Sequence, residues 1–432
     1  MKGANNILKI CLGSAILFGL STFTANSQLA DYPQMKFIVF SDPHYFDPSL
    51  GTEGKAFQEY LDNDRKLLKD SKELTNAVVS KIAETDAEFV LVAGDLTKDG
   101  ETINHQAFAD ILKGLEKSGK KVFVIPGNHD VNNPHAYKYS GDKKERVSTV
   151  TPDEFATIYA DFGYADALKR DKNSLSYVAE LKDGSWLLAL DACLYKENPK
   201  EGEPITGGII SDETMVWIKS MLKEASDAKK SVIVMMHHAV LEHYAKQKKF
   251  YGEYVVDNYK ELGKTLATGG VQLVFTGHFH AQDITMGKFK DDKFLLDIET
   301  GSLMTFPCPY RSISISESQI LTVKSEFVTS IPSRPEYAAY AREYNHIGIA
   351  KIAANTLIGM GVDSTESWSL SGQVADAFLS HYAGDEITPE KPFNMEGIGF
   401  KGKFLIGFKK NLVKSLHKDL YPADNTLEIK LK

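Results

Sequence analysis

Short, mostly apolar runs of four to six residues recur along the first two thirds of the chain, at 36–40, 89–92, 122–125, 186–190, 232–235 and 271–275. Uninterrupted runs of that length read as strands buried on both faces, because a strand with one wet face would alternate. Longer amphipathic stretches rich in helix formers separate the early runs, at 64–84 and 102–117. Their lengths suit crossover connections between parallel strands, so the first third reads as repeated strand-helix-strand units. Runs at 294–298, 311–316 and 320–327 are closely spaced and partly alternating, which predicts antiparallel strands completing a second sheet. Pro332 and Pro335 then break the pattern. Beyond them Tyr337, Tyr340, Tyr344 and Ile347, then Val374, Phe378 and Tyr382, then Leu412, Leu416 and Leu420 keep the spacing of buried helical stripes. A small helical C-terminal region over 331–432 is therefore expected to pack on a main α/β domain over 28–330.

Composition and charge exclude several classes. Of 432 residues, 43% are apolar and 25% charged, which gives ample surface for a packed core and does not fit a disordered chain. Fifty basic residues against 58 acidic ones leave −8, so no nucleic-acid-binding surface is expected. Lys2 and Lys9 flank the start of an apolar run over 10–20 that small polar residues follow, the pattern of a secretory signal peptide over 1–27. Such a run rises only about 16 Å as a helix, too short for a hydrocarbon core of roughly 30 Å. Export to a periplasmic or secreted location, with no membrane span in the mature chain, is expected. Cleavage removes two lysines and no acid, which takes the charge to −10. Cys11 would leave with that segment, while Cys193 and Cys308 remain as a disulfide or as two buried thiols.

The candidate chemistry sits just past the strand ends. The runs lead into Ser41-Asp42-Pro43-His44, Gly94-Asp95, Gly127-Asn128-His129-Asp130, His237-His238 and Gly277-His278-Phe279-His280. Parallel strands of an α/β sheet converge at their carboxyl ends, so five segments deliver carboxylate, amide and imidazole groups to one rim. Asp42, His44, Asp95, Asn128, His237, His278 and His280 make seven donors, more than one ion needs. Nitrogen and oxygen donors without thiolate suit Mn, Zn or Fe, and an aspartate between two cations can bridge them.

That ordered set, Asp42-x-His44, Gly94-Asp95, Gly127-Asn128-His129-Asp130, His237 and Gly277-His278-x-His280, resembles the calcineurin-like metallophosphoesterase superfamily over about residues 36–330. The resemblance implies an α/β fold, a β-sandwich flanked by helices in four αββα layers, with a dinuclear site at the strand ends. It implies that Asp42, His44 and His280 hold one ion, that Asn128, His237 and His278 hold the other, and that Asp95 bridges them. His129 would face the substrate. Ala239 follows His237-His238 where the family often carries proline. His237 is expected as the ligand because it comes first after the apolar strand, with His238 behind it.

The implied activity is that of a metal-dependent phosphoric ester hydrolase, attacking a small phosphomonoester or phosphodiester with a metal-bridging hydroxide. His129 would protonate the leaving oxygen, with Asp130 or Asp99 as its carboxylate partner. Nucleotides, glycerophosphodiesters and cell-envelope phosphates are all candidate substrates. Two rival readings stand beside it: a metallohydrolase of carboxyl esters or amides, and a metal-stabilised binding domain without turnover. Among the other polar residues, His105 is expected at a helix start on the same rim, while His135, His243, His346, His381 and His417 are expected at the surface or in ordinary core. Arg311 either meets phosphate or starts an exposed strand, and Tyr45 and Phe46 are placed to stack on a base or aryl group.

Overall fold

The computed structural model describes residues 29–390 and 393–431; the expected signal peptide over 1–27, with Cys11, lies outside the described residues. The chain begins β1 (Met35–Phe40), α1 (Lys55–Asp62), α2 (Ser71–Ala83), β2 (Phe89–Val92), α3 (Thr102–Lys117) and β3 (Lys121–Val124). β1, β2 and β3 are parallel neighbours, and all four residues of β2 are buried. The amphipathic stretch expected to start at 64 becomes helix only at Ser71, after a turn of 3-10 helix over Leu68–Asp70. Residues 64–67 are thereby freed as a loop on the rim.

A hairpin, β4 (Tyr137–Ser140) and β5 (Lys143–Arg146), and α4 (Pro152–Ile158) lead into a second sheet. The chain there runs through β6 (Lys169–Arg170), β7 (Tyr177–Lys182) and β8 (Ser185–Leu190), then α5 (Asp212–Asp227), β9 (Ser231–Met236), α6 (Gln247–Phe250), α7 (Tyr259–Thr268), β10 (Leu273–Thr276), β11 (Asp283–Lys288) and β12 (Phe294–Glu299). Ser211 precedes helix α5 as its N-cap, its hydroxyl accepting the Thr214 amide. The strand order is β11-β12-β10-β9-β8-β7-β6, with β8, β9, β10 and β12 parallel.

The later strands do not all join that second sheet, as their close spacing suggested. β12 does, but β13 (Pro309–Ile315) and β14 (Ile320–Phe327) return to the first, where β13 runs antiparallel to β1. The two sheets pack face to face: Phe37 stacks on Phe89 at 4.7 Å and meets Phe275 of the other sheet edge-on at 5.3 Å. Helices flank both, giving the expected four layers.

Three helices follow as expected, α8 (Tyr337–Gly359), α9 (Ser364–Ala383) and α10 (Phe400–Leu416). The buried line of α8 is Tyr337, Ala341, Asn345 and Ile349, whereas Ile347 is 56% exposed, so the predicted stripe is rotated. Asn345 explains the rotation: its carboxamide oxygen accepts the Phe306 amide and its nitrogen donates to the Arg65 carbonyl, so it must face inward. The chain then adds a strand that the sequence pattern does not announce, β15 (Thr426–Lys430), at the edge of the first sheet beside β14. Its alternating, mostly polar residues resemble a loop because only one face is covered. Among the described residues no helix is long and apolar enough to cross a membrane.

Arg311 neither meets phosphate nor lies exposed. It is fully buried on β13, donating to the carbonyls of Glu299 and Asp424 at 2.7 and 2.6 Å and to the Ser325 hydroxyl, and so ties both sheets to the final segment. Arg311→Ala should cost about 4 kcal/mol in urea unfolding, since it strands buried carbonyls beside a cavity. A loss under about 1 kcal/mol would show that this clamp is not structural.

Candidate metal centre

All five predicted segments meet at one rim. Asp42 and His44 follow β1, Asp95 follows β2, Asn128 and His129 follow β3, His237 follows β9, and His278 and His280 follow β10. The first three strands belong to one sheet and the last two to the other, so the centre spans the mouth of the sandwich. Cross-links hold the loops in place. The Asp42 amide donates to the Gly94 carbonyl at 3.1 Å, the His44 amide to the Asp95 carbonyl at 2.9 Å, and the Gly277 amide to the His237 carbonyl at 3.0 Å.

Two groups of donors converge, Asp42 with His44 and His280, and Asp95 with His237 and His278. His44 Nε2 and His280 Nε2 face each other at 3.3 Å, and Asp42 Oδ1 lies 3.4 Å from His280 Nε2 and 3.8 Å from His44 Nε2. In the second group His237 Nε2 lies 3.3 Å from both Asp95 Oδ2 and Asn128 Oδ1. The same Asp95 Oδ2 lies 3.7 Å from His44 Nε2, so one oxygen stands between the two groups. Ligands about 2.0–2.2 Å from a common ion sit roughly 3–4 Å apart, depending on the angle at the ion, so these spacings fit one cation per group. Asp42 Oδ1 and His278 Nε2 are buried without any hydrogen-bond partner, as expected of atoms reserved for an ion. Burial holds His44 and His278 well below the ordinary imidazole value and lowers His280, keeping their lone pairs available. At His237 burial is outweighed by Asp95 and Asp42, which raise it to about 10, so taking a cation there displaces a proton. His238 sits behind the second group, bonded to the Thr206 carbonyl at 3.0 Å with its ring against His278.

The backbone here is bent against its preferences. Asp42, His44, Asp95, His278 and His280 all have left-handed φ, from +36° to +82°. Each costs on the order of 1 kcal/mol for a side chain of this kind, and such strain concentrates at functional sites. Of the neighbouring glycines, Gly94 makes the turn, with φ +91°, while Gly127 and Gly277 serve close approach. A Cβ on Gly127 would lie 2.1 Å from Asp95 Oδ1, and one on Gly277 2.0 Å from Ser41 Oγ.

His129 differs from the seven donors. Its side chain is 24% exposed, whereas the donors are nearly all sealed from solvent. Nδ1 meets Asp99 Oδ1 at 2.8 Å, and Asp99 in turn pairs with the buried Lys98. Asp95 and Asp99 together raise His129 against the opposing effects of burial and of Lys66. Asp130, the other carboxylate expected to act on His129, does something else. It accepts the amides of Leu96, Thr97 and Gly127 and the Thr97 hydroxyl, tying the loop after β2 to the loop after β3. It is the scaffold of the site, because those amides saturate both of its oxygens.

Two basic residues escaped the sequence reading. Lys66 and Arg65 lie in the loop freed between α1 and α2, and Lys66 is close enough for its charge to lower His44, His129 and His280 after burial has done so. Their only signal was a basic pair inside an apparent helix. Arg65 donates through Nε to the Tyr382 hydroxyl at 2.9 Å. Other expectations fail on burial. Tyr45 and Phe46 are core residues, Phe46 stacked on Phe57, so neither reaches a substrate. His105 is the expected helix-start residue, buried in the first turn of α3 against the Asp130 carbonyl and the Tyr159 hydroxyl. His243 and His381 are core, as expected, but in a buried acidic cluster: His243 meets Asp283 at 2.6 Å with Asp297 and Glu299 beyond, and His381 meets Glu386. Cys193 and Cys308 are free thiols.

A family model described as calcineurin-like phosphoesterase matches residues 35–282. The chain is 21% identical over 297 residues to the uncharacterized metallophosphoesterase-like protein YydB of Bacillus subtilis, covering 63% of this chain and 54% of that one. It thus spans about half the length of the curated relative it matches. Among solved structures, a dimetal phosphatase from Danio rerio superposes with a TM-score of 0.46 at 14% identity, covering 68% of this chain and 97% of that one.

If Asp95 Oδ2 serves both groups, Asp95→Asn should reduce retention of two ions together, read by elemental analysis after gel filtration. Loss of one ion with normal retention of the other would overturn the shared placement. Chelation should also lower the melting temperature, because ions bound only by the folded state stabilise it.

Proposed function

Because the chain belongs to the calcineurin-like phosphoesterase family, we propose that it is a metal-dependent phosphoric ester hydrolase acting on a small phosphomonoester or phosphodiester. The observation that carries this reading is the pair of donor groups sharing Asp95 Oδ2, with the partly exposed His129 beside them. Asp42, His44 and His280 would hold one divalent or trivalent ion, Asn128, His237 and His278 the other, and the donor chemistry suits Mn, Zn or Fe. When bound, such a pair activates water and neutralises phosphoryl oxygens.

The chain's own groups supply the rest. Lys66, ion-paired with Asp64 at 3.2 Å, and its neighbour Arg65 together leave net positive charge in this loop beside His44 and His280, which favours an anionic ester in a chain whose formal charge is −8. Asp99 holds Nδ1 of His129, so Nε2 is the nitrogen left to carry a proton to the leaving oxygen. The Lys98–Asp99 ion pair keeps Asp99 ionised, and an ionised Asp99 favours protonated His129. Residues 1–27 would address the chain for export, which N-terminal sequencing of protein recovered outside the cytoplasm would test by its start after Ser27.

Protein loaded in turn with Mn, Zn and Fe should hydrolyse mono-aryl or bis-aryl phosphate and leave aryl carboxyl esters untouched. Turnover of carboxyl esters alone would favour the other hydrolase class, and no turnover on a broad phosphate panel would favour a binding domain. His129→Ala should lower kcat by about 10²–10⁴ while both ions stay bound. Loss of activity and metal together would make His129 a ligand instead. Asp99→Asn should lower kcat less, with metal content unchanged.

A further inference from the structure

A cavity of about 510 Å³ lies beside the metal centre, between the catalytic loops and α8, α9 and α10. Its walls are mostly apolar, among them Ile349, Leu357, Val374, Phe378 and Leu412. Four lining residues connect it to the site. Phe279 stands between His278 and His280, and the left-handed φ at both histidines turns them to the other donors while Phe279 packs among Tyr244, Tyr251 and Tyr254. The Tyr254 ring is 4.5 Å from that of His278, and the Tyr382 ring 6.5 Å from that of His280. Arg65, held by the Tyr382 hydroxyl, places a cation at this junction.

We propose that this cavity receives the aliphatic tail of the substrate, so that the preferred phosphoester is amphiphilic, with its phosphate at the metal centre and Arg65 and its chain between the C-terminal helices. The inference rests on the phosphoesterase reading for the head group alone. Size and continuity select the occupant. The volume lies within the roughly 300–1,000 Å³ of small-molecule sites, while a folded partner needs about 800 Å² of surface on each side. At roughly 30 Å³ for a water-sized group, a tail on the order of ten carbons fits. Ile352 and Met360, which also line the cavity, are 37% and 47% exposed, so its far end opens to solvent and a longer chain can leave there. The C-terminal region thus gains a role: it supplies the apolar half of a site whose polar half is built by the sheets.

Calorimetric titration of Mn-loaded protein with methyl-, butyl- and octylphosphonate tests this without turnover. Affinity should rise about two- to four-fold per added methylene, from the burial of each group. Ala353→Trp, which fills the cavity from α8, should abolish that rise, and Thr356→Trp serves as a second filling variant at a more exposed position of the same wall. Equal affinity for the three phosphonates overturns the proposal. A wild-type dimer that Ala353→Trp dissociates would assign the cavity to a second copy and overturn it too. Chain-dependent binding with no hydrolysis of alkyl or aryl phosphates would sink the phosphoesterase reading and leave the tail site standing.

Discussion

Each of two aspartates divides its oxygens between the backbone and the donor cluster, and the rest of the site depends on that division. Asp42 Oδ2 accepts the His278 amide at 3.0 Å while Oδ1 is left toward His44 and His280. Asp95 Oδ1 accepts the His129 amide at 2.9 Å while Oδ2 faces His44 and His237. One oxygen of each thus sets the distance between loops, and the other stands among donors whose positions those loops fix. The Asp42 latch crosses between the two sheets, so the geometry of the centre is a property of the sandwich and not of any single loop. The same economy explains Gly127 and Gly277, where no Cβ fits beside the Asp95 carboxylate or the Ser41-Asp42 pair.

Behind this rim, polar clamps bind the C-terminal region to the catalytic sheets. Arg311 reaches the Asp424 carbonyl, Asp424 accepts the Ile284 amide at 2.7 Å, and β15 completes the first sheet. His243 and His381 sit in the same buried neighbourhood with Asp283, and His381 belongs to α9. Helices fixed so firmly can present a cavity wall to the site, which a loosely tethered appendage could not do.

Much of this was legible in the chain because it depended on local pattern. The apolar runs marked the central strands within a residue or two, since a strand buried on both faces has no polar position to confuse its bounds. Glycines beside carboxylate, amide and imidazole groups marked the donors. Legibility failed where a residue's role depended on what packed against it. Arg311 looked like a surface cation until the carbonyls of Glu299 and Asp424 closed on it. Tyr45 and Phe46 followed a donor motif yet were absorbed by the core. Ile347 satisfied helical spacing but lost its place to Asn345, whose amide had partners waiting inside.

The sequence by itself determined which residue types stand at the ends of five strands, and with them the family and the chemistry of the donors. Those choices are local: a short apolar run followed by a glycine and a polar side chain means the same thing wherever it folds. Only the tertiary structure decided how the donors are shared, that Asp99 and not Asp130 holds His129, that Arg65 and Lys66 join the site, and that an apolar cavity adjoins it. These are distances between segments tens to hundreds of residues apart, and such distances follow from how two sheets and three helices pack, which periodicity along the chain does not encode.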